Sequence, residues 1–198
     1  MNILVTGGAG FIGTALIKRL VQNKEDRVFC LDNFFSSGDN EFVDDAVYIP
    51  GSTNNISNLI KFKPDIIYHL GEYSRIATSF DEIQAVWKSN VAGTFKVLEF
   101  CRKNKCKLVY GGSSSKFGNS GADENLSPYA WFKAKNVELI KNYGEWYGLE
   151  YAIAYFFNVY GKGQLSKGKY ATVIGIFIEQ LKNNKPLTVV RPGTQERY

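Results

Sequence analysis

At 198 residues with a net charge of +5, the chain is long enough for one domain with a sizeable core and a small appendage. Its 44% hydrophobic and 22% charged composition is that of a globular protein, and no apolar stretch is long enough to span a bilayer. The basic residues are scattered and accompany no nucleic-acid motif, which argues against a nucleic-acid-binding class, and a mildly basic surface equally suits an anionic small substrate.

Strand-like and helix-like runs alternate from the first residues onward. Ile3–Thr6, Val28–Leu31, Val47–Ile49, Ile66–Leu70, Leu108–Tyr110 and Tyr151–Phe156 read as strands. Phe11–Gln22, Ile56–Phe62, Ile83–Arg102, Pro128–Tyr147 and Thr172–Asn183 read as helices. Several strands are continuous apolar runs, as in a parallel sheet covered on both faces. The alternation predicts an α/β fold of Rossmann type, a doubly wound parallel sheet with helices on both faces. In such a sheet, ligands bind beyond the C-terminal ends of the strands. The residues that follow each strand are therefore the candidates for function.

After the first strand come Gly7, Gly10 and Gly13, then an amphipathic helix. Glycines there bare the backbone N–H groups, and the helix N-terminus is positive, so the turn attracts a phosphate. Read alone, the glycines would also suit an ordinary tight turn, the less favoured reading. The second strand ends in Asp32, about 20 residues beyond the glycines, where a carboxylate holds a ribose hydroxyl pair and repels a 2′-phosphate. The ligand that fits both features is NAD rather than NADP. Three cysteines, Cys30, Cys101 and Cys106, form no Cys-x-x-Cys and are odd in number, which predicts reduced thiols in a cytoplasmic protein. The single histidine, His69, ends an apolar strand and reads as a buried, hydrogen-bonded residue; one histidine argues against a His-based metal site.

The segment Ser127-Pro-Tyr-Ala-Trp-Phe-Lys133 predicts a helix start, with Ser127 as N-cap and Pro128 in the first turn. Tyr129 and Lys133 then share a face. A tyrosine keeps its proton to about pH 10 unless positive charge stands beside it, and Lys133 brings that charge. A tyrosine and a lysine on a helix surface are also common without any function. Upstream, Leu108–Gly118 runs from a strand into small and hydroxylated residues, where a serine can hydrogen-bond a substrate oxygen. Downstream, Phe156–Gly161 ends a strand with an amide and aromatics.

Taken together, Thr6–Gly13, Leu31–Gly38, His69–Gly71, Asn90–Thr94, Ser113–Gly118, Tyr129–Lys133 and Phe157–Gly161 resemble the extended short-chain dehydrogenase/reductase family, the NAD-dependent nucleotide-sugar epimerases and dehydratases of the UDP-glucose 4-epimerase type. The resemblance implies that Tyr129 is the acid/base, that Lys133 binds the nicotinamide ribose and tunes Tyr129, and that Ser113 is their hydroxyl partner, with Ser114 in reserve. It implies that Gly7, Gly10, Phe11, Ile12 and Gly13 cradle the pyrophosphate. Asp32 and Asn33 would then hold the adenine-side ribose, Leu70, Gly71 and Glu72 line the nucleotide, and Asn90 and Phe156 sit near the cofactor. Ser114, Asn158 and Arg197 fall on the substrate side. The implied reaction is transient oxidation to a 4-keto sugar, with a UDP-sugar as substrate and a homodimer built on the helices around Ile83–Arg102 and Pro128–Tyr147. The family's dehydratases carry an Asp-Glu pair in the serine loop, where this chain has Ser114 and Ser115, which favours an epimerase. Ser52 stands where the family often has an acid near the adenine, and Phe117 where it often has tyrosine. The resemblance divides the chain into an NAD-binding domain at 1–160 and a partial substrate lobe at 161–198. Family members are longer, so a related dehydratase or reductase, or an NAD-binding module without turnover, remains as the alternative.

Overall fold

The computed structural model describes residues 1–35, 42–117, 126–168, 171–189 and 193; Gly38, Gly118 and Arg197 lie outside them. Two compact units are present, Met1–Asn158 and Val159–Tyr198.

The first unit is built on a six-stranded parallel sheet. Its strands are β1 (Asn2–Thr6), β2 (Arg27–Asp32), β3 (Ala46–Pro50), β4 (Ile66–His69), β5 (Lys107–Ser113) and β6 (Tyr151–Phe156). Their spatial order is β3-β2-β1-β4-β5-β6. All five pairings are parallel. This is the Rossmann-type order: strands are added outward from β1 to β3, and the strand order then switches to the other side of β1 at β4. The central strands are apolar on both faces: Ile3, Leu4 and Val5 are buried, as are Val28, Phe29, Cys30 and Leu31. One apolar cluster packs Leu4, Leu31, Ile67, Leu108 and Tyr110 with the helices on one face. A second packs Ile3, Val5, Val28 and Cys30 against Ile17 on the other. Burial pushes the Cys30 thiol up to about 12, so it serves as packing rather than as a nucleophile.

The helices are α1 (Phe11–Leu20), α2 (Ile56–Leu59), α3 (Ile83–Val86), α4 (Thr94–Asn104), α5 (Pro128–Tyr147) and α6 (Val173–Lys182). The predicted long helix from Ile83 proves to be α3 and α4 joined by a widened π turn over Trp87–Gly93, a geometry that leaves no mark on hydrophobic spacing. Strand β5 runs three residues beyond its apolar part, because Gly111, Gly112 and Ser113 pair with Ala154, Tyr155 and Phe156 of β6.

Helix α5 begins as the sequence dictates. Ser127 is extended and its side chain accepts from the Ala130 N–H at 3.1 Å, with Pro128 in the first turn. Gly148 ends the helix in the left-handed conformation (φ 66°). Ser127 is buried, so Ser127→Ala strips a cap that water cannot replace. The expected loss is about 1 kcal/mol, or about 2–4 °C in a melting curve for a chain of this size; an unchanged midpoint would deny the cap that role.

In the second unit, Thr172 caps α6 by accepting from the Gly175 N–H at 3.4 Å, and Lys167 pairs with Glu179 at 2.8 Å. Among the described residues no helix is long and apolar enough to cross a membrane.

Candidate active site

The turn after β1 lies at the reversal of the sheet, wedged against the turn after β4. Gly7 adopts φ +71°, and a Cβ there would stand 2.6 Å from the Gly71 nitrogen. At Gly13 a Cβ would meet the Gly7 carbonyl oxygen at 2.1 Å. Both positions therefore demand glycine, one to bring β1 and β4 together and one to seat α1 on the turn. Gly10 differs. Among the described residues, a Cβ there has the Gly7 oxygen at 3.3 Å as its one neighbour within 4 Å and otherwise projects into open space. Gly10 stands at the N-cap of α1, which has no side-chain cap, so the first-turn N–H groups of Phe11, Ile12 and Gly13 are not satisfied by a capping side chain.

Asp32 is tied to this turn directly. Its Oδ2 accepts from the Ala9 N–H at 3.0 Å, and its Oδ1 from the Phe34 N–H at 2.8 Å. Each carboxylate oxygen keeps further lone pairs for ribose hydroxyls. Asn33 is exposed and its Oδ1 receives the Phe35 N–H at 3.2 Å. Ser52 accepts from the backbone and side chain of Asn54, which makes it the cap of the turn after β3. An uncapped helix start, an open face at Gly10 and an acidic strand end fit a dinucleotide.

Helix α5 brings its polar residues to the ends of β4 and β5. Lys133 is 6% exposed and its Nζ donates to the Gly111 carbonyl of β5 at 2.6 Å. The same Nζ makes an ion pair with Glu72 and lies 4.7 Å from the centre of the Tyr110 ring. Tyr129, one turn earlier, is 7% exposed on the same buried face. Ser113 closes β5, with its Oγ 2.8 Å from that of Ser115 and receiving the Ser115 N–H at 3.2 Å. Phe156 pairs with Ser113 across β5 and β6, and Asn158 is exposed beyond β6. Leu70 and Gly71 stand beside the glycine turn, where Gly71 donates to Thr6 Oγ1 at 3.1 Å.

Two of the residues expected on the cofactor side turn their side chains into the protein. Asn90 is fully buried in the π turn, and its amide clamps Tyr73, accepting from the N–H at 2.7 Å and donating to the carbonyl at 2.9 Å. Glu72 turns its carboxylate inward, with the side chain 1% exposed. Tyr110 donates to it at 3.0 Å, Asn136 at 2.9 Å, and Thr94 as well.

His69 joins this cluster as a fully buried residue. Its Nδ1 is 2.6 Å from Thr6 Oγ1 and its Nε2 2.9 Å from Thr94 Oγ1. Since Thr94 gives its proton to Glu72, it receives one from His69 Nε2, and Nδ1 then accepts from Thr6. The hydrogen bonds thus run in one direction from Gly71 N–H through Thr6, His69 and Thr94 to Glu72. Burial pushes the imidazole down to about 4 against the opposing pull of Glu72, with the Lys133 charge adding to the lowering, so it is neutral near pH 7. Tyr110, Thr94, Asn136 and Thr6 are the members of this cluster that spacing does not single out.

The model of the NAD dependent epimerase/dehydratase family matches residues 3–198. A putative UDP-glucose 4-epimerase of Methanocaldococcus jannaschii is 35% identical over 208 residues, covering 98% of this chain and 68% of the relative. UDP-glucuronic acid decarboxylase 6 of Arabidopsis thaliana is 29% identical, covering 100% of this chain and 61% of the relative. The crystal structure of UDP-glucuronic acid 4-epimerase from Bacillus cereus, in complex with UDP-glucuronic acid and NAD, matches with a TM-score of 0.82 at 27% identity, over 98% of this chain and 67% of that one. The chain spans between 61% and 68% of the length of these relatives. With the sheet order, the glycine turn and the Tyr129–Lys133 pair beside them, these matches establish that the chain belongs to the NAD-dependent epimerase/dehydratase family.

Proposed function

We propose that the protein is a nucleotide-sugar epimerase acting at C4 of a UDP-sugar, with residues 1–160 holding NAD and residues 161–198 contributing to a sugar-binding lobe. The observation that supports this reading is that α5, which carries Tyr129 and Lys133 one turn apart, sets Lys133 Nζ on the Gly111 carbonyl of β5, two residues before Ser113, in the sheet that also bears the glycine turn. NAD, when bound, supplies the acceptor for the hydride leaving the sugar carbon. Tyr129 takes the proton of the sugar hydroxyl at its phenolic oxygen and returns it when the carbonyl is reduced. Lys133 places positive charge beside that phenol. Ser113, with Ser114 next to it, orients the sugar oxygen by hydrogen bonding. Asp32 and Asn33 hold the adenine-side ribose, and Phe11 and Ile12 offer N–H groups to the diphosphate. Asn158 and Arg197 serve the nucleotide-sugar.

The serine loop favours epimerisation over dehydration. Water elimination needs carboxyl groups there, and Ser113 and Ser115 instead hydrogen-bond one another. A homodimer belongs to the proposal: Ile83, Trp87 and Phe95, and Trp131, Trp146 and Tyr147 of α5, are exposed apolar groups on the helices concerned. Sedimentation equilibrium tests that part, and a monomer at all concentrations would remove it.

The deciding experiment denatures the purified protein, identifies released nucleotides, then supplies UDP-sugars with NAD and follows the C4 epimer by proton NMR. NAD in the released fraction and a C4 epimer in the mixture are expected. If no UDP- or GDP-sugar is interconverted while NAD is bound, the protein is a binding module and the enzyme reading falls.

A further inference from the structure

The carboxylate of Glu72 is the most heavily hydrogen-bonded side chain of the site, yet nothing in the proposed reaction calls for it. It sits just past β4, turned into the protein, and four donors converge on it: Lys133, Tyr110, Asn136 and Thr94. An ionised carboxylate with no counter-charge at that depth would be costly, and so would a lone buried ammonium. Each supplies what the other lacks.

We infer that Glu72 is a positioning residue of the proton-transfer site, the counter-ion that locks the Lys133 ammonium in place and holds its proton. This rests on the roles proposed for Tyr129 and Lys133. An ammonium has three N–H donors. Glu72 takes one and the Gly111 carbonyl a second, so Lys133 keeps a single directed donor for the ribose or for Tyr129. Asn136 braces the arrangement from α5, giving one N–H bond to Glu72 and another to the Asn90 carbonyl at 2.7 Å. The π turn that carries Asn90 is thereby coupled to the position of the lysine.

The charged and titratable groups facing Lys133 are Glu72 after β4, Tyr110 on β5 and Tyr129 on α5, with His69 of β4 neutral behind Glu72. Burial works to strip the lysine of its proton; Glu72 first, then Tyr110 and Tyr129, overcome this and hold it well above the usual lysine range. Take the carboxylate away and burial is left largely unopposed. Lys133 then loses its proton at lower pH, and the basic limb of the pH–rate profile descends with it.

The test is the Nζ resonance of 15N-labelled lysine, assigned to Lys133 by its absence in Lys133→Met, followed over pH in wild type and Glu72→Gln. In wild type, Lys133 is expected to remain an ammonium at every pH at which the fold survives. In Glu72→Gln it is expected to titrate below about 10.4, the ordinary lysine value. The basic limb of kcat/KM should fall in step, with a smaller change in KM. A wild-type Lys133 that titrates like an ordinary lysine overturns the inference, and that measurement stands even if Glu72→Gln fails to fold. A variant whose Lys133 titration and basic limb are unmoved overturns it as well, since Glu72 would then be structural filling. Because the resonance is read without substrate, a shifted Lys133 in a protein that turns over no sugar supports the role of Glu72 while defeating the proposed reaction.

Discussion

Replacing Tyr129 by phenylalanine is expected to lower kcat by about 100- to 10,000-fold while leaving NAD binding near the wild-type level. The magnitude is that of a positioned acid/base. The phenol oxygen is the one atom removed, and the ring that packs on the buried face of α5 remains. Tyr129 donates its backbone N–H to Ser79 at 3.4 Å, a contact the substitution keeps. Lys133 keeps Glu72 and the Gly111 carbonyl, so the lysine stays where it was. A loss confined to KM would make Tyr129 a binding group rather than the acid/base. A loss of bound NAD equal to the loss of turnover would mean that the phenol serves the cofactor instead. Measuring turnover and cofactor occupancy on the same preparation separates these results.

The parts of the fold that were legible in the sequence are those fixed by neighbours along the chain. Strands β1 and β2 announce themselves because they are buried on both faces and read as unbroken apolar runs. Ser127 and Pro128 mark the start of α5 because a cap is local chemistry, satisfied three residues on. His69 was expected to be buried and hydrogen-bonded, and is. What escaped depends on long-range pairing. Gly111 and Gly112 have no strand propensity, and β5 continues through them only because β6 lies alongside. The π turn at Trp87–Gly93 holds Asn90 against Tyr73, a contact made outside the helix that local spacing does not record.

The site divides in the same way. Gly7, Gly10, Gly13 and Asp32 follow one another closely enough for a spacing to carry them. Glu72 does not, because its inward turn depends on Lys133 and Asn136 from α5, Tyr110 from β5 and Thr94 from α4. A glutamate after an apolar strand gives no sign of whether it faces a ligand or a lysine. Only the packing of α5 on the sheet decides that.

Gly10→Ala and Gly13→Ala should part company, and the contrast tests the glycine turn as a cofactor cradle. At Gly13 the added Cβ has backbone on two sides, the Gly7 oxygen at 2.1 Å and the Gly8 Cα at 2.6 Å. Backbone cannot swing aside as a side chain can, so the turn and α1 must separate. Gly13→Ala is expected to cost about 1–3 kcal/mol of stability, seen as a lower denaturant midpoint, and to weaken NAD binding along with it. At Gly10 the backbone is in the extended region (φ −76°) that any residue adopts, and the Gly7 oxygen at 3.3 Å has to yield only slightly. Loss of glycine at the N-cap then costs at most about 1 kcal/mol. The new methyl, however, occupies the open face at the uncapped start of α1, where a diphosphate would approach. Gly10→Ala is therefore expected to raise the NAD dissociation constant by about 100-fold or more, or about 2.7 kcal/mol, in a protein whose melting curve is nearly unchanged. Calorimetric titration with NAD beside a thermal scan reads both quantities. If Gly10→Ala binds NAD as wild type does, the open face at Gly10 is not where the diphosphate lies, and the glycine turn is a packing device for α1 alone.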